Sequence, residues 1–266
     1  EWLNNEKIPG LEGIDTRKLT VITREAGTLR AVICTDGKMT PKQGVKKAQT
    51  MAWPSDSNLV GMVSTKRKYK RGKKGPKITL FDWGVKQSIV KNLAENCQVT
   101  VVPWNYNIEK VKATNPDLVF MSNGPGDPEN CQETISTAKS LIQKNIPTLG
   151  ICLGAQILAA AGGAQTYKLK YGHRGQNKPC VNLDNNQVYV TSQNHGYCIN
   201  PDSLGSTEFD LWFSNVDDKT VEGIKHKNKK CIAVQFHPEA SPGPYDCKFV
   251  FDELKSIMEE GKPGKT

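Results

Sequence analysis

The sequence predicts an α/β protein: a mostly parallel sheet with helices on both faces, plus a small N-terminal domain. Three observations carry this. From Lys77 onward, short apolar runs alternate with helical periodicity, the rhythm of strands joined by crossover helices. The stretch PTLGICLGAQILAAAGG, Pro147 to Gly163, reads as a buried strand running straight into a glycine-terminated helix. A basic, glycine-containing stretch separates both from the first 65 residues.

In chain order, residues 1–65 form the small domain. Thr16 to Ala26 places Leu19, Ile22 and Thr23 on one helical face, with Asp15 or Thr16 as cap and Gly27 as terminator. Thr28 to Ile33 is a strand candidate. Residues 66–77 read as a basic linker, with Lys66, Arg67, Lys68, Lys70, Arg71, Lys73, Lys74 and Lys77 and no acid. These eight charges account for nearly all of the net +9 of the 266-residue chain, so the charge belongs to this boundary. With one aromatic residue and no nucleic-acid-binding signature, the stretch does not read as a nucleic-acid arm.

Residues 78–260 form the α/β domain, and 261–266 a tail or linker. Ile78 to Asp82 is the first strand, Gln87 to Asn96 a helix with Ile89, Val90 and Leu93 inward, and Gln98 to Pro103 the second strand. Asp117 to Met121 is the third, running into SNGPGDP, and a helix around Glu133 to Gln143 leads to the strand Thr148 to Ile151. Cys231 to Phe236 is a late strand. Ligands in such sheets collect at the carboxyl ends of the strands, which gathers the chemistry-bearing segments at one edge.

Cys152 sits at the tip of the strand-to-helix turn, with Gly150 and Gly154 at i−2 and i+2. Small residues at those positions let a nucleophile stand in a strained, exposed elbow, with the positive end of the following helix at the sulfur. Taken alone, the same segment also fits a buried, inert cysteine. Gly124 and Gly126 around Pro125 allow a tight turn whose backbone N–H groups, with that of Leu153, could hold an oxyanion; an ordinary turn is the competing reading. His237 and Glu239 follow the late strand. In extended backbone, i and i+2 point the same way, so Glu239 can orient the imidazole toward the cysteine. His195 lacks an acid at i+2, so it and Asn194, Gly196 and Tyr197 are assigned to shaping a substrate pocket. His173 reads as structural, and His226, in HKNKK, as a solvated hairpin residue.

Composition excludes other classes. The chain is 37% hydrophobic and 24% charged with negative mean hydropathy, and no apolar run approaches a membrane span. Eight cysteines at irregular spacing, with no CxxC pair, indicate a reducing compartment rather than a zinc or disulfide framework, and no metal is expected in the site. The chain starts at Glu1 without methionine and shows no signal peptide.

Together, SNGPGDP, GICLGAQ and QFHPE, in that order and spacing, resemble a class I (triad) glutamine amidotransferase. The segments GIDTR, GTLR, YGHRGQN, TSQNHGY, EGIKHKNKK and HPEASPGPYD resemble the small, glutaminase subunits of carbamoyl-phosphate synthetases, and this resemblance covers essentially the whole chain. It implies a flavodoxin-like core and only the C-terminal part of the family's N-terminal domain. It also implies Cys152 as nucleophile, His237 as base and acid, and Glu239 as its orienting partner. Gly124, Gly126 and Leu153 would lie near the reacting amide, and Gln156, Asn194, Gly196 and Tyr197 would line the glutamine pocket. Ammonia would pass to a synthetase subunit or fused domain that uses ATP, bicarbonate and Mg; no cofactor is expected in this chain. The resemblance further implies no nucleic-acid or membrane partner, pyrimidine or arginine biosynthesis, and a cytoplasmic location, with a mitochondrial one as the alternative.

Two departures stand out: Ala155, where the family often has histidine, and the shortened N-terminal domain. The cysteine that ammonia-dependent relatives have lost is present as Cys152. The alternatives are an amidotransferase serving a different synthase and a catalytically impaired scaffold glutaminase.

Overall fold

The computed structural model describes residues 1–259. The expected tail 261–266 lies outside the described residues. The chain divides into two compact units, Glu1–Ser57 and a larger unit from Asn58 onward. The break therefore falls earlier than residue 65. The helix α4 (Leu59–Val63) belongs to the larger unit because Val60 is buried in its core.

The first unit holds α1 (Trp2–Asn5), α2 (Thr16–Ala26) and α3 (Pro41–Thr50). The Asp15 carboxylate caps α2 by accepting from the Lys18 N–H at 2.8 Å, and Gly27 ends it. A reciprocal Thr40–Gln43 capping box with Pro41 opens α3. Thr28 to Ile33 is not a strand: among the described residues this unit contains no strand for it to pair with. No side chain of α1, α2 or α3 is buried.

The larger unit is built on one ten-stranded sheet: β1 (Tyr69–Arg71), β2 (Lys77–Asp82), β3 (Gln98–Pro103), β4 (Leu118–Met121), β5 (Thr148–Ile151), β6 (Thr166–Asn182), β7 (Gln187–Ile199), β8 (Phe209–Asn215), β9 (Val221–His226) and β10 (Cys231–Val234). Their spatial order is β1-β3-β2-β4-β5-β10-β9-β8-β6-β7. Strands β3, β2, β4, β5 and β10 are mutually parallel. Counted along the chain, these five follow the order 2-1-3-4-5 of flavodoxin-like sheets, whose switch point falls between β2 and β4. The other strands are antiparallel additions, so the α/β class holds while the sheet as a whole is mixed. The stretch 66–77, expected as linker, contains the edge strand β1, paired with β3. Lys70 and Arg71 suit an edge that must not recruit another strand.

Alternating side chains in the parallel strands feed two cores. Ile78, Leu80, Val99, Val101, Leu118 and Phe120 face one side, beneath α5 (Gln87–Asn96) and α10 (Val250–Glu259). Phe81, Val102, Val119 and Met121 face the other, beneath α6 (Ile108–Lys112), α7 (Gln132–Gln143) and α8 (Leu153–Ala161). Each fully buried aliphatic or aromatic side chain contributes about 1.5–3 kcal/mol of transfer free energy. Both faces are buried, which is why the strands read as continuous apolar runs. The short α9 (Pro201–Leu204) follows the β6–β7 hairpin.

Candidate active site

The site begins with the geometry of Cys152. It links β5 to α8 with φ 55° and ψ −105°, a left-handed conformation costing a non-glycine residue about 1–3 kcal/mol. The surroundings hold it there: its N–H donates to the Val234 carbonyl at 2.8 Å, and its carbonyl accepts from the Ala155 N–H at 3.0 Å. The flanking glycines are obligatory. A Cβ on Gly154 would lie 2.2 Å from the Met121 carbonyl oxygen, and one on Gly150 would lie 2.7 Å from the backbone of Gly154.

β10 pairs in parallel with β5, Val234 beside Ile151, so the residues after β10 arrive next to the cysteine turn. His237 is buried and hydrogen-bonded to Cys152, and its Nδ1 lies 2.8 Å from Glu239 Oε1. The carboxylate accepts, so Nδ1 carries the hydrogen and Nε2 is left to the sulfur. Burial works against a charged ring here. The bonds and charges of Cys152 and Glu239 outweigh it and push the His237 pKa up to about 10. Glu239 is held below its ordinary value: burial opposes ionisation, but His237 and Lys86 prevail.

Lys86 was not singled out by sequence reasoning. It is the N-cap residue of α5, and its Nζ lies 2.7 Å from Glu239 Oε1 and donates to the Ser241 carbonyl at 2.9 Å. The only available signal was its position just beyond the carboxyl end of β2, beside the switch point. Nothing in the sequence ties it to a glutamate 153 positions away.

The loops after β2 and β4 are stitched together. Ser122 Oγ accepts from the Trp83 N–H at 3.1 Å, and Asn123 Oδ1 accepts from the Lys86 N–H at 3.1 Å. This sets Gly124 against the Cys152 turn: a Cβ there would meet the Trp83 carbonyl oxygen at 2.4 Å and Leu153 Cδ2 at 2.8 Å. Gly126 takes φ +97°, which favours glycine. Leu153 is the first residue of α8, where backbone N–H groups have no intrahelical partner.

Gln156 is buried on α8 and donates through Nε2 to the Tyr197 carbonyl at 2.8 Å and to Gln235 Oε1 at 3.0 Å. The structure thus brings Gln156 and Tyr197 together. Asn194 is exposed, on the side of β7 opposite buried Gln193 and His195, and Gly196 is half-buried near Arg174. His195 is not solvated: burial, aided by the charges of His173 and His237, pushes its pKa down to about 3, so the ring is neutral. His173 is a buried ion-pair partner of Asp218 and Glu222. His226 is half-buried rather than fully solvated, and its Nδ1 accepts from the Asn228 N–H within the β9–β10 hairpin. All eight cysteines are free, and burial pushes the thiols of Cys131, Cys180, Cys198, Cys231 and Cys247 up.

Among known families, glutamine amidotransferase class-I matches residues 79–257. The carbamoyl phosphate synthase small chain of Methanopyrus kandleri is 42% identical over 98% of this chain and 73% of its own length. Those of Bacillus caldolyticus and Pyrococcus furiosus are each 44% identical over 98% of this chain and 71% of theirs. Among solved structures, a putative GMP synthase component from Thermoplasma acidophilum superposes with a TM-score of 0.60 at 25% identity, covering 71% of this chain and 96% of that one. A Thermotoga maritima glutamine amidotransferase, at 18% identity and a TM-score of 0.51 over 72% of this chain and 87% of its own, shares the fold. With the family match spanning the sheet that carries the cysteine turn and the small-chain similarity running through both units, this chain belongs to the class-I glutamine amidotransferases and, among them, to the carbamoyl phosphate synthase small chains.

Proposed function

We propose that the protein is the glutaminase component of a glutamine-dependent carbamoyl-phosphate synthetase. The observation that carries this is the meeting of Cys152, at a strained turn, with a buried His237 that is bonded to both the sulfur and Glu239. Such an assembly serves acyl transfer from an amide.

The chemistry follows from the arrangement. His237, oriented by Glu239, takes the thiol proton as the sulfur attacks the side-chain carbonyl carbon of glutamine. Backbone N–H groups at Leu153 and in the Gly124–Gly126 turn take the developing oxyanion. His237 returns its proton to the leaving nitrogen as the carbon–nitrogen bond breaks, giving ammonia and a glutamyl thioester. Water, deprotonated by His237, then releases glutamate and restores the thiol. Gln156, Asn194, Gly196 and Tyr197 are the residues we assign to the glutamine pocket. The partner is a large synthetase subunit or fused domain that uses ATP, bicarbonate and Mg, and the setting is cytoplasmic, without nucleic-acid or membrane partners. None of the described helices is long and apolar enough to cross a membrane.

An amidotransferase feeding another synthase has less support, because the small-chain relatives match 98% of the chain, including the first unit. The test is glutamine hydrolysis with and without the cognate synthetase, comparing wild type with Cys152→Ala. Glutamate release that needs Cys152 and rises with the partner supports the proposal. No release from the complete complex favours a scaffold role.

A further inference from the structure

Behind the Gln193–Tyr197 segment lies a buried cluster that the chemistry above does not use. His173 on β6, His195 on β7 and Glu222 on β9 are all buried, and their ligand-type atoms lie within 4.8 Å of one another. A register irregularity between Lys168 and His173 interrupts the β6–β7 ladder here, a common device for re-aiming a side chain.

Hydrogen positions in the cluster can be deduced. The Tyr197 carbonyl can only accept, so the 2.8 Å contact puts the hydrogen of His195 on Nδ1 and a lone pair on Nε2. Asp218 Oδ2 lies 2.7 Å from His173 Nε2, which places a hydrogen there. Thr191 Oγ1 donates to the Lys178 carbonyl at 2.7 Å, so it must accept from Gln193 Nε2 at 3.0 Å, and this turns Gln193 Oε1 toward the histidines. That oxygen lies 2.8 Å from His173 Nδ1 and 3.1 Å from the bare His195 Nε2. Glu222 Oε1 is 3.3 Å from His173 Nδ1 and also accepts from Thr220 Oγ1 at 3.1 Å and Asn215 Nδ2 at 3.4 Å. Glu222 Oε2 is buried without a hydrogen-bond partner, and the residue is fully buried. The bare His195 Nε2 thus faces another acceptor, Gln193 Oε1, and Glu222 Oε2 has no donor, so the one proton on His173 Nδ1 leaves acceptors in this cluster unserved.

We propose that His173 Nδ1, His195 Nε2, the Glu222 carboxylate and Gln193 Oε1 form a closed, structural site for a divalent transition metal of the zinc class. Imidazole and carboxylate are ligands of that class. Tetrahedral bonds of about 2.0–2.2 Å put neighbouring ligand atoms roughly 3.3 Å apart; the Gln193–His173, Gln193–His195 and Glu222–His173 pairs stand at 2.8, 3.1 and 3.3 Å, and the histidine and carboxylate ligand atoms lie within 4.8 Å of one another. The outer partners are in place as well: ligating histidines donate their second N–H to a carboxylate or backbone carbonyl, as His173 does to Asp218 and His195 to Tyr197. The ion takes the place of the proton on His173 Nδ1 and pins β6, β7 and β9 together behind the segment assigned to the substrate pocket. The site stands independently of glutamine hydrolysis.

The test uses Cys152→Ala protein, which removes the nucleophile as a competing ligand, treated with chelator and titrated with Co²⁺. The expected result is one Co²⁺ per chain with visible absorption of tetrahedral strength and no sulfur-to-cobalt charge-transfer band. Asp218→Asn should keep that stoichiometry and weaken binding about 10–100-fold, and Glu222→Gln should lose the band. No bound Co²⁺, a sulfur charge-transfer band, or binding unchanged in Glu222→Gln would each overturn the site. Zn²⁺ must also raise the unfolding temperature of the Cys152→Ala protein, a reading that does not require Glu222→Gln to fold. No rise overturns the proposal.

Discussion

At the residue scale, the site is a chain of contacts: Lys86, Glu239, His237 and the Cys152 sulfur, each touching the next. Because Cys152 is a leading cause of the raised His237 pKa, Cys152→Ala should move the ring titration down toward the ordinary histidine range, as followed by NMR of the imidazole. The sign of the stability effect is fixed. A histidine whose folded pKa is raised contributes stability that is full below its unfolded value of about 6.5 and is lost as pH rises. For His237 the loss runs through about pH 10. Urea midpoints of wild type and His237→Gln should therefore converge across that window. Glu239 has the opposite sign: its contribution is lost as pH falls through its lowered value. Lys86→Met should lower kcat for glutamine about 10–100-fold while KM changes little, because it acts on the base through Glu239. Lys86→Arg should recover part of the loss, and a KM effect as large as the kcat effect would contradict this role.

At the scale of elements, the strand–turn–helix around Cys152 was legible because sterics dictate it. Only glycine fits where Gly154 faces the Met121 carbonyl, and the apolar run from Leu153 has to be a buried helix. Gly154→Ala should cost about 4 kcal/mol or more, or abolish soluble expression. Gly163→Ala, which meets nothing within 4 Å but takes φ +99°, should cost only about 1–2 kcal/mol, as read by urea unfolding. The long β6–β7 hairpin was not legible. Few of its residues reach the core, so Lys168, Lys170, Gly172 and Gly175 break any period-2 signal. The histidine–glutamate cluster was hidden for the same reason, its members being 22 and 27 positions apart on three strands. Strand β1 was missed because three mostly exposed residues in a basic run carry no hydrophobic pattern.

At the scale of the molecule, the two units differ in how they are held. The sheet unit has two continuous cores, whereas in Glu1–Ser57 only Gly27 is buried. Amide exchange should follow this division: protection in α2 and α3 no deeper than about 2 kcal/mol, and the slowest amides in β2, β4, β5 and β10. Equal protection in both units would show that burial misjudges the first. The order of the sheet has a consequence for synthesis. Among the described strands β10 is the last in the chain, yet it lies in the interior of the sheet, between β5 and β9. A nascent chain carrying Cys152 must wait for some 85 further residues before His237, its proposed acid–base partner, exists. Until β10 slots in, β5 has an open edge and Cys152 lacks the histidine we propose as its base, so topology ties the onset of reactivity to the arrival of β10.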